Sequence, residues 1–432
     1  MLNHRQSSKG AEQGQRTASI WTARAAITIL PVSHQLMEMQ LNNGNTQATL
    51  RQDVQYLASD LPHRSSNSER ELQAAQYIRG RLADLDEAAA IDTFAAPDSF
   101  YRIFSAYYAE FGVVTIVAIW FPHAAFVYGF LVLIAYLLEA SGWQIFGRVM
   151  PKTESQNVIA KLPCDQPERL LVIVANHDTG LDTPLSRGDL AHGLRTIHHA
   201  LVACMALVII ACAARALGSF DGLEYPIDRV VAWTATAILV SVACALLYCD
   251  VVGEDCRGAL ANATGVAALI ALAERFHHQP LHNTAVWIVS TGSKEGWFNG
   301  IRQLLRNESF SKKTTQFLNL DYLGQPNIRY TEAEALLHRF ATSPLMTAAA
   351  QACAGPYQAQ PIVLHGPPTD ALVPMAHGMH AMTITSTDKE GLQDFRNTEL
   401  DTLLQVDWAA LEKAVDFAEA VVRKLDHAAA KS

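Results

Sequence analysis

The chain has 432 residues, of which 50% are hydrophobic and only 17% are charged. That length suits one large α/β domain with additions. The net charge of −9 gives no reason to expect nucleic acid as a partner. The seven cysteines have no motif spacing, so the sequence shows no disulfide framework and favours a reducing compartment.

The chain begins with a polar to mildly amphipathic tail. Residues 1–45 are predicted to be disordered or weakly helical, because the domain-like pattern begins only near Thr49. The tail lacks the apolar core and the cleavage site of a signal peptide. Met37 and Met39 are alternatives to Met1 as the true start of the protein.

Residues 46–100 form the first part of the predicted domain. Apolar residues recur at helical spacing over Leu50–Leu57 and over Ser68–Leu85. Ser68 is followed three residues later by Glu71, a spacing typical of a capping box at a helix start.

Two pairs of apolar runs interrupt the domain pattern: 111–121 with 124–138, and 200–214 with 230–249. A membrane-spanning helix needs about 20 mostly apolar residues. The last run reaches that length without a charge, and the others reach it only with flanking residues. We predict two transmembrane hairpins, at 101–143 and 199–250; the alternative is a set of buried core helices.

The predicted topology places both termini and the globular domain in the cytoplasm. About 100 residues precede the first span, and exporting them would need a signal peptide. The Lys/Arg distribution is a weak guide, because Arg102 and Arg148 flank the first hairpin while Arg215 and Arg229 lie in the opposite loop. The sequence thus predicts an integral protein of the inner or plasma membrane, with the lipid bilayer as a partner.

The segments 144–198 and 251–426 alternate strand and helix patterns, and residues 427–432 form a second tail. The predicted strands are Leu170–Ala175, Ala285–Ser290, Phe317–Leu320 and Ala381–Thr385, and the predicted helices are Val266–Phe276 and Trp408–Leu425. This alternation predicts an α/β domain with a mostly parallel or mixed sheet. Ligands bind such sheets beyond the carboxyl ends of the strands.

Five segments lie at these strand ends or in the loops that follow. They are Val174–Thr179, Gly258–Gly265, Thr291–Gly296, Asn319–Gly324 and Arg396–Thr402. Their order and spacing resemble the metal-binding segments of the M28 family of zinc aminopeptidases. The membrane-embedded, hairpin-inserted members are the most similar. The resemblance implies an M28-like mixed sheet flanked by helices and interrupted by two transmembrane hairpins.

In active M28 peptidases, two His, a bridging Asp, a Glu and another acid hold two zinc ions, and a second Glu is the general base. The matching positions are occupied here by Asn176, Ala261, Lys294, Glu295, Asp321 and Asn397. Both His ligands, the bridging Asp and the general base are therefore replaced. Lys294 stands at the position of the base. Because zinc binds imidazole nitrogen and carboxylate oxygen, we expect no metal and no other cofactor, and the catalytic residue is unknown.

The predicted ligand pocket contains these six residues together with His177 and Asp178. His177 becomes an alternative zinc ligand if the strand before it shifts by one residue, since such a shift turns side chains to the other face. Lys294 can balance the charge of Glu295 and Asp321 if its side chain points inward, which would give a hydrogen-bonded polar cluster. The alternative is that these are unrelated loop residues.

Three further histidines lie close in sequence to the last segment. His365, His377 and His380 are weak candidates for ligands, because isolated histidines are more often ordinary surface or core residues.

Three functions remain after this comparison. The favoured one is a pseudopeptidase that binds an unknown protein or peptide ligand, because loss of the dinuclear centre removes the Lewis acid and the activated water together. The second is an active zinc aminopeptidase with a reduced metal site. The third is an amide-forming or cyclising enzyme, related to glutaminyl cyclases or to a subunit of GPI transamidase, since one fold supports several chemistries.

Overall fold

The computed structural model of the protein describes residues 48–86, 88–187, 193–219, 227–388 and 392–429. The predicted tail at 1–45 and residues 430–432 lie outside these ranges. The second predicted tail, 427–432, begins inside a helix that continues to Ala429.

Nine of the described strands form one mixed sheet. All the described strands, including two outside this sheet, are Ala90–Ala96 (β1), Thr153–Leu162 (β2), Arg169–Asn176 (β3), Leu181–Asp182 (β4), Glu254–Asp255 (β5), Thr284–Thr291 (β6), Thr315–Leu320 (β7), Asn327–Glu334 (β8), Phe340–Ala341 (β9), Gln360–Leu364 (β10) and His380–Thr387 (β11). The order is β1-β2-β6-β3-β7-β11-β8-β10, with β9 beside β8, while β4 pairs with β5 alone. The four central strands β6, β3, β7 and β11 are parallel.

Helices cover the sheet and form the two insertions. They are Glu69–Ala83 (α1), Phe100–Val117 (α2), Pro122–Ala140 (α3), Leu194–Ala216 (α4), Ile227–Val252 (α5), Thr264–His278 (α6), Asn299–Asn307 (α7), Pro344–Tyr357 (α8), Leu372–Ala376 (α9) and Trp408–Ala429 (α10). The predicted fold class, an α/β domain with a mixed sheet flanked by helices, is confirmed.

Local sequence explains where these elements begin and how they are covered. Ser68 caps α1 by accepting a hydrogen bond from the backbone N–H of Glu71 at 3.1 Å, as the capping box predicts. β3 is apolar along most of its length and is buried from Leu171 to Asn176, because helices cover both faces of a parallel sheet. α6 packs against β3, β6 and β7 and is almost wholly buried.

Each helical hairpin leaves and re-enters the domain between paired strands. α2 and α3 follow β1 and precede β2, and these strands are antiparallel with Ala96 opposite Thr153. α4 and α5 lie between β4 and β5, which pair through Leu181 and Asp255. The chain therefore returns to the point it left, so the central sheet is not interrupted.

The two hairpins pack on each other through polar contacts in an apolar setting. The hydroxyls of Thr115 on α2 and Thr236 on α5 are 2.5 Å apart. The Ser105 hydroxyl donates to the carbonyl of Ala243 at 3.1 Å. These hydrogen bonds satisfy groups that a lipid environment would leave unpaired.

Four helices of the described ranges are long and apolar enough to cross a membrane: α3, α4, α5 and Ala259–His278. The last is 89% buried within the protein, so its apolar character reflects the core. α2 carries the predicted run 111–121 but is not among the four, and it includes Arg102 and Glu110. α4 begins at Leu194, five residues before the predicted hairpin boundary.

The hairpins present large apolar side chains outward. At the turn between α2 and α3, the side chains of Trp120 and Phe121 are each 67% exposed, and α5 exposes Val230 and Val251. A contiguous apolar surface of this kind marks a site that contacts a membrane or another protein.

A buried ion pair fastens the first hairpin to the domain. Arg302 on α7 lies 3.9 Å from the carboxylate of Glu139 at the end of α3, and both side chains are almost fully buried. The Arg302 guanidinium also donates to the carbonyls of Gly142 at 2.9 Å and Trp143 at 3.3 Å. One side chain thus satisfies the backbone of the segment that leaves α3.

We expect Arg302→Met to destabilise the protein by about 3–5 kcal/mol, because it leaves Glu139 buried without its cation. Thermal and chemical unfolding of the purified full chain measures the effect. Lys313→Met, at an exposed residue, is the matched control and should change stability by less than about 0.5 kcal/mol. Equal effects of the two changes would contradict the role of Arg302.

Candidate functional site

The candidate site lies where three parallel central strands end. β3 ends at Asn176, β6 ends at Thr291, and β7 is followed directly by Asp321. Since the carboxyl ends of parallel strands meet at one edge of a sheet, the loops that follow them converge. The segment around Asn397, which follows β11, completes the group.

Lys294, Glu295 and Asn397 form the centre of the site. The Lys294 ammonium donates to one carboxylate oxygen of Glu295 at 2.7 Å. The Asn397 amide donates to the other oxygen at 3.2 Å. Lys294 is only 6% exposed, so its side chain points inward. Glu295 neutralises its charge inside the protein.

The carboxylate of Asp321 is paired with a different cation, Arg396. Both guanidinium ends of Arg396 donate to it, at 3.3 Å and 3.1 Å, and the guanidinium lies 5.0 Å from the ring centre of Tyr322. The sequence comparison gave Arg396 no role, although this residue opens the last segment and directly precedes Asn397. A bidentate pair of this kind is among the strongest in proteins.

Asn176 and Asp178 lie together beside this centre. The Asn176 amide donates to the backbone carbonyl and to a carboxylate oxygen of Asp178, at 3.0 and 3.1 Å. The other oxygen accepts from the Ser66 hydroxyl at 2.7 Å and from the backbone N–H of Glu295 at 2.8 Å. Burial, with the nearby charge of Glu295, raises the pKa of Asp178.

Ala261, which the resemblance matches to the bridging Asp of the family, contributes its backbone N–H. Its N–H and that of Leu260 donate to the Asp401 carboxylate at 3.0 and 2.6 Å. Asp401 therefore stabilises the start of the helical segment Ala259–His278. Burial raises the pKa of Asp401 to about 6, although these two hydrogen bonds oppose the shift.

Asn397 is held tightly against the loop that follows β3. Its backbone has a φ of 54°, a conformation that asparagine adopts more readily than most residues. A Cβ atom added to Gly180 would lie 2.4 Å from the Asn397 side chain. Gly180 is therefore required for this approach.

His177 is not brought together with the other predicted site residues. Its ring lies 3.0 Å from the hydroxyl of Ser290 on β6, whereas the neighbouring Thr291 contacts Asp370 on the opposite face of the sheet. Burial, followed by the charge of Arg64, lowers the pKa of His177 to about 3. The histidine is thus a neutral residue of the core.

The three further histidines also lie outside the cluster. His377 stacks on Trp143 with ring centres 4.4 Å apart, and its ring contacts the carbonyl of Val373 at 2.8 Å. His380 begins β11, and His365 lies in the wall of a cavity described below.

Asp370 is a site residue that the sequence comparison passed over. The hydroxyl of Thr291 donates to one of its carboxylate oxygens at 2.6 Å, while the other oxygen is buried without a hydrogen-bond partner. Burial raises the pKa of Asp370 to about 7. In sequence it directly precedes α9 and β11, and none of the five family-like segments contains it.

These residues do not fit a pair of zinc ions. The two surviving acids are bonded to Lys294 and Arg396, and two cations beside the site would repel a metal dication. Asn176, Ala261 and Asn397 offer no imidazole or carboxylate ligand. Within the described ranges, no group of three His, Cys, Asp or Glu is arranged to hold a metal ion.

A cavity of about 860 Å³ opens next to the polar centre. Lys294, Glu295, Arg396 and Asn397 line one part of it. The rest of the wall comes from the domain-facing ends of α2, α4 and α5, together with β10 and the loop after it. That volume lies in the range of sites for small molecules, about 300–1,000 Å³.

The pair of Asp321 and Arg396 should show strong energetic coupling. We expect Asp321→Asn and Arg396→Met each to cost about 3 kcal/mol, because each leaves the partner charge buried alone. The double variant should lose less than the sum, with a coupling of about 1–3 kcal/mol. Unfolding free energies of the four proteins give this value.

The exposed pair of Lys161 and Glu308, whose side chains are 48% and 33% accessible, is the control for this cycle. Its coupling should not exceed about 1 kcal/mol. Additive effects at Asp321 and Arg396 would show that the two side chains do not form a buried pair.

The raised pKa of Asp370 predicts a pH-dependent loss of stability. The unfolded chain releases this proton near pH 4, but the folded protein retains it until about pH 7. The contribution of Asp370 to stability therefore falls between these values and is constant above them. Relative to wild type, Asp370→Asn should gain up to about 4 kcal/mol between pH 4 and pH 8. Unfolding curves across this range measure the difference, and parallel curves for the two proteins would refute the shift.

The sequence of residues 243–422 matches the model of peptidase family M28. No curated protein matches the chain significantly. The family match covers the segments that carry Ala261, Lys294, Glu295, Asp321 and Asn397, while the segment of Asn176 lies before it.

Solved structures similar to this one include two aminopeptidases and a glutaminyl cyclase. BSAP, a zinc aminopeptidase from Bacillus subtilis, is 11% identical, with a TM-score of 0.52 over 87% of this chain and 94% of its own. The aminopeptidase from Aneurinibacillus sp. strain AM-1 is 12% identical, with a TM-score of 0.51 over 87% and 93%. A glutaminyl cyclase from an Acidobacteriales bacterium is 14% identical, with a TM-score of 0.52 over 89% and 95%.

Such low identities establish a shared fold and not a shared activity. The family match supplies the relationship in sequence, and the predicted resemblance is confirmed. Over residues 243–422 the chain is therefore similar in sequence to peptidase family M28, and it shares the fold of the solved aminopeptidases.

Proposed function

We propose that this protein is a membrane-embedded pseudopeptidase, in which an M28 domain binds a ligand at the zinc position without hydrolysing peptides. The observation that carries the proposal is the ion pair of Lys294 and Glu295. A cation occupies the place of the general base, and its partner is one of the two surviving acids.

Lys294 cannot serve as a base near neutral pH. Burial lowers its pKa, but the carboxylates of Glu295 and Asp321 outweigh that effect and hold the pKa above its usual value. A general base must accept a proton at the working pH, whereas Lys294 stays protonated. Asp370 and Glu334 are buried acids whose pKa is raised to about 7, but their side chains are hydrogen-bonded to Thr291 and Thr369.

The ligand-binding part of the proposal rests on the cavity beside the cluster. An abandoned site would be expected to fill with side chains, because protein interiors are close-packed. Here about 860 Å³ remain next to Lys294, Glu295 and Asn397. These three residues supply donors and acceptors at the cavity wall, which fixes the orientation of a bound molecule.

Membrane embedding is supported by the outward apolar faces of the two hairpins. α3, α4 and α5 have the length and composition of spanning helices, and α2 packs closely against α5. In water such faces would favour aggregation. We further propose that the globular domain lies in the cytoplasm.

The direct test measures zinc and activity on the full chain purified in detergent. After dialysis against micromolar zinc, we expect less than about a tenth of a zinc ion per chain, against about two for an intact centre of this type. We also expect no release of amino acids from aminopeptidase substrates. One or two tightly bound zinc ions together with hydrolysis would overturn the proposal in favour of an active aminopeptidase.

Restoring the family residues provides a positive control. The variant that combines Asn176→His, Ala261→Asp, Lys294→Glu and Asn397→His should gain at least one zinc ion per chain, because it supplies imidazole and carboxylate ligands at the matched positions. Mass spectrometry of the metal content measures this gain. A variant with His177→Asn added should bind as much zinc, since His177 faces away from the site; loss of zinc would show that the register of this loop is wrong.

A further inference from the structure

We propose that the ligand is an amphiphile with a hydrocarbon chain and a polar head group of no net charge. The inference rests on the proposed ligand-binding function and adds the chemical class of the ligand. The head lies against Lys294, Glu295 and Asn397, and the chain extends between the ends of α2, α4 and α5.

The cavity wall away from the polar centre is apolar. Aromatic and aliphatic side chains of the hairpins and the adjoining domain form it: Phe100, Phe104, Ile197, Leu201, Leu246 and Trp297. A peptide in this part would bury its N–H and C=O groups against side chains that cannot pair with them. A hydrocarbon chain has no such groups, so it meets this wall without an unsatisfied polar atom.

The backbone is held in an unusual conformation to place aromatic rings on this wall. Trp297 and Phe298 have φ angles of 80° and 58°, a region that bulky residues rarely adopt. The Trp297 indole donates to the carbonyl of Glu139 at 2.9 Å, which fixes the ring at 4.8 Å from that of Phe104. Strained backbone of this kind occurs at ligand clamps.

The charges at the polar end favour a head group without net charge. Lys294 is paired with Glu295, and Arg396 is paired with Asp321, so the two ion pairs cancel. A zwitterionic head group presents both a positive and a negative charge to these ion pairs. It therefore introduces no uncompensated charge into a buried site.

The position of the cavity explains how such a ligand would arrive. The wall is built from the first residues of α2 and α4 and from the last turns of α5, which are the helix ends that adjoin the domain. Ala245 on α5 belongs to this wall and is exposed. If these helices span the bilayer, the apolar part of the cavity lies at its surface, where amphiphiles are concentrated.

The test uses bromine quenching of Trp297 on the full chain in phosphatidylcholine nanodiscs. The probes are alkylphosphocholines brominated at the chain end, in a series of increasing chain length. Trp297→Phe keeps an aromatic ring on the wall, so the difference between wild type and this variant isolates the Trp297 signal. We expect saturable quenching whose affinity rises about fourfold for each added methylene until the cavity is filled.

Two matched variants on α5 separate the cavity from the general apolar surface. Ala245→Phe adds a ring to the cavity wall and should weaken binding at least tenfold. Ala237→Phe makes the same change at an exposed residue outside the wall and should leave binding unchanged. Brominated alkyl sulfates of equal length, which carry an anionic head, should bind at least tenfold more weakly.

Absence of Trp297 quenching, or equal effects of the two α5 variants, would refute binding of an amphiphile in this cavity. If the alkyl sulfates bind as tightly as the alkylphosphocholines, the preference for a head group without net charge is refuted. Binding of extended peptides along the edge strand β10 in place of the probes would also count against it. Zinc content distinguishes failure of this inference from failure of the proposed function. If the protein binds zinc and hydrolyses peptides while the probes still quench Trp297, the amphiphile site stands and the pseudopeptidase is refuted.

Discussion

The site depends on the neutralisation of two carboxylates, the buried Asp321 and the partly buried Glu295. A carboxylate moved out of water costs several kcal/mol unless a cation and hydrogen bonds replace its hydration. Here Lys294 and Arg396 supply the cations at 2.7 and 3.1 Å. The loops after β6, β7 and β11 must therefore come together for the domain to fold with these acids inside.

This arrangement leaves a site that is electrically balanced but still polar. Asn397 bridges to Glu295, and Asn176 bonds to Asp178, so amides occupy places where the family has imidazoles. Such groups orient and discriminate ligands through hydrogen bonds. They supply neither an imidazole nor a carboxylate ligand for zinc, and this difference is the physical basis for proposing binding in place of hydrolysis.

The sequence predicted the architecture well because strand and helix patterns are local. The buried strand at Leu170–Ala175 and the helix at Trp408–Leu425 are present with slightly wider bounds. The inward direction of the Lys294 side chain, by contrast, was only a condition in the sequence, and its burial and its bond to Glu295 come from the packed structure. Apolar composition alone was less informative, since Ala259–His278 is apolar enough to span a membrane but lies in the core.

What could not be predicted depends on contacts between distant segments. Arg396 neutralises Asp321 across 75 residues of sequence, and no local pattern announces such a pair. Asp370 reaches Thr291 from a separate loop, so its raised pKa follows only from the packed structure. The sequence did not determine the face of the sheet on which His177 lies, because a shift of one residue along the strand would turn its side chain to the other face. The pairing of β3 with β6 determines that face.

The attachment of the first hairpin has a mechanical consequence. The indole of Trp297 and the guanidinium of Arg302 both hold the end of α3, and both belong to the segment that begins with Lys294. The same segment is bonded to the domain through the Glu295 N–H, which donates to Asp178, and through the carbonyl of Gly300, which accepts from Asn157, so it links the hairpin to the sheet. In a bilayer, a change in thickness or lateral tension that tilts α3 would be transmitted as a displacement at the polar centre, so the site would respond to the physical state of the lipid.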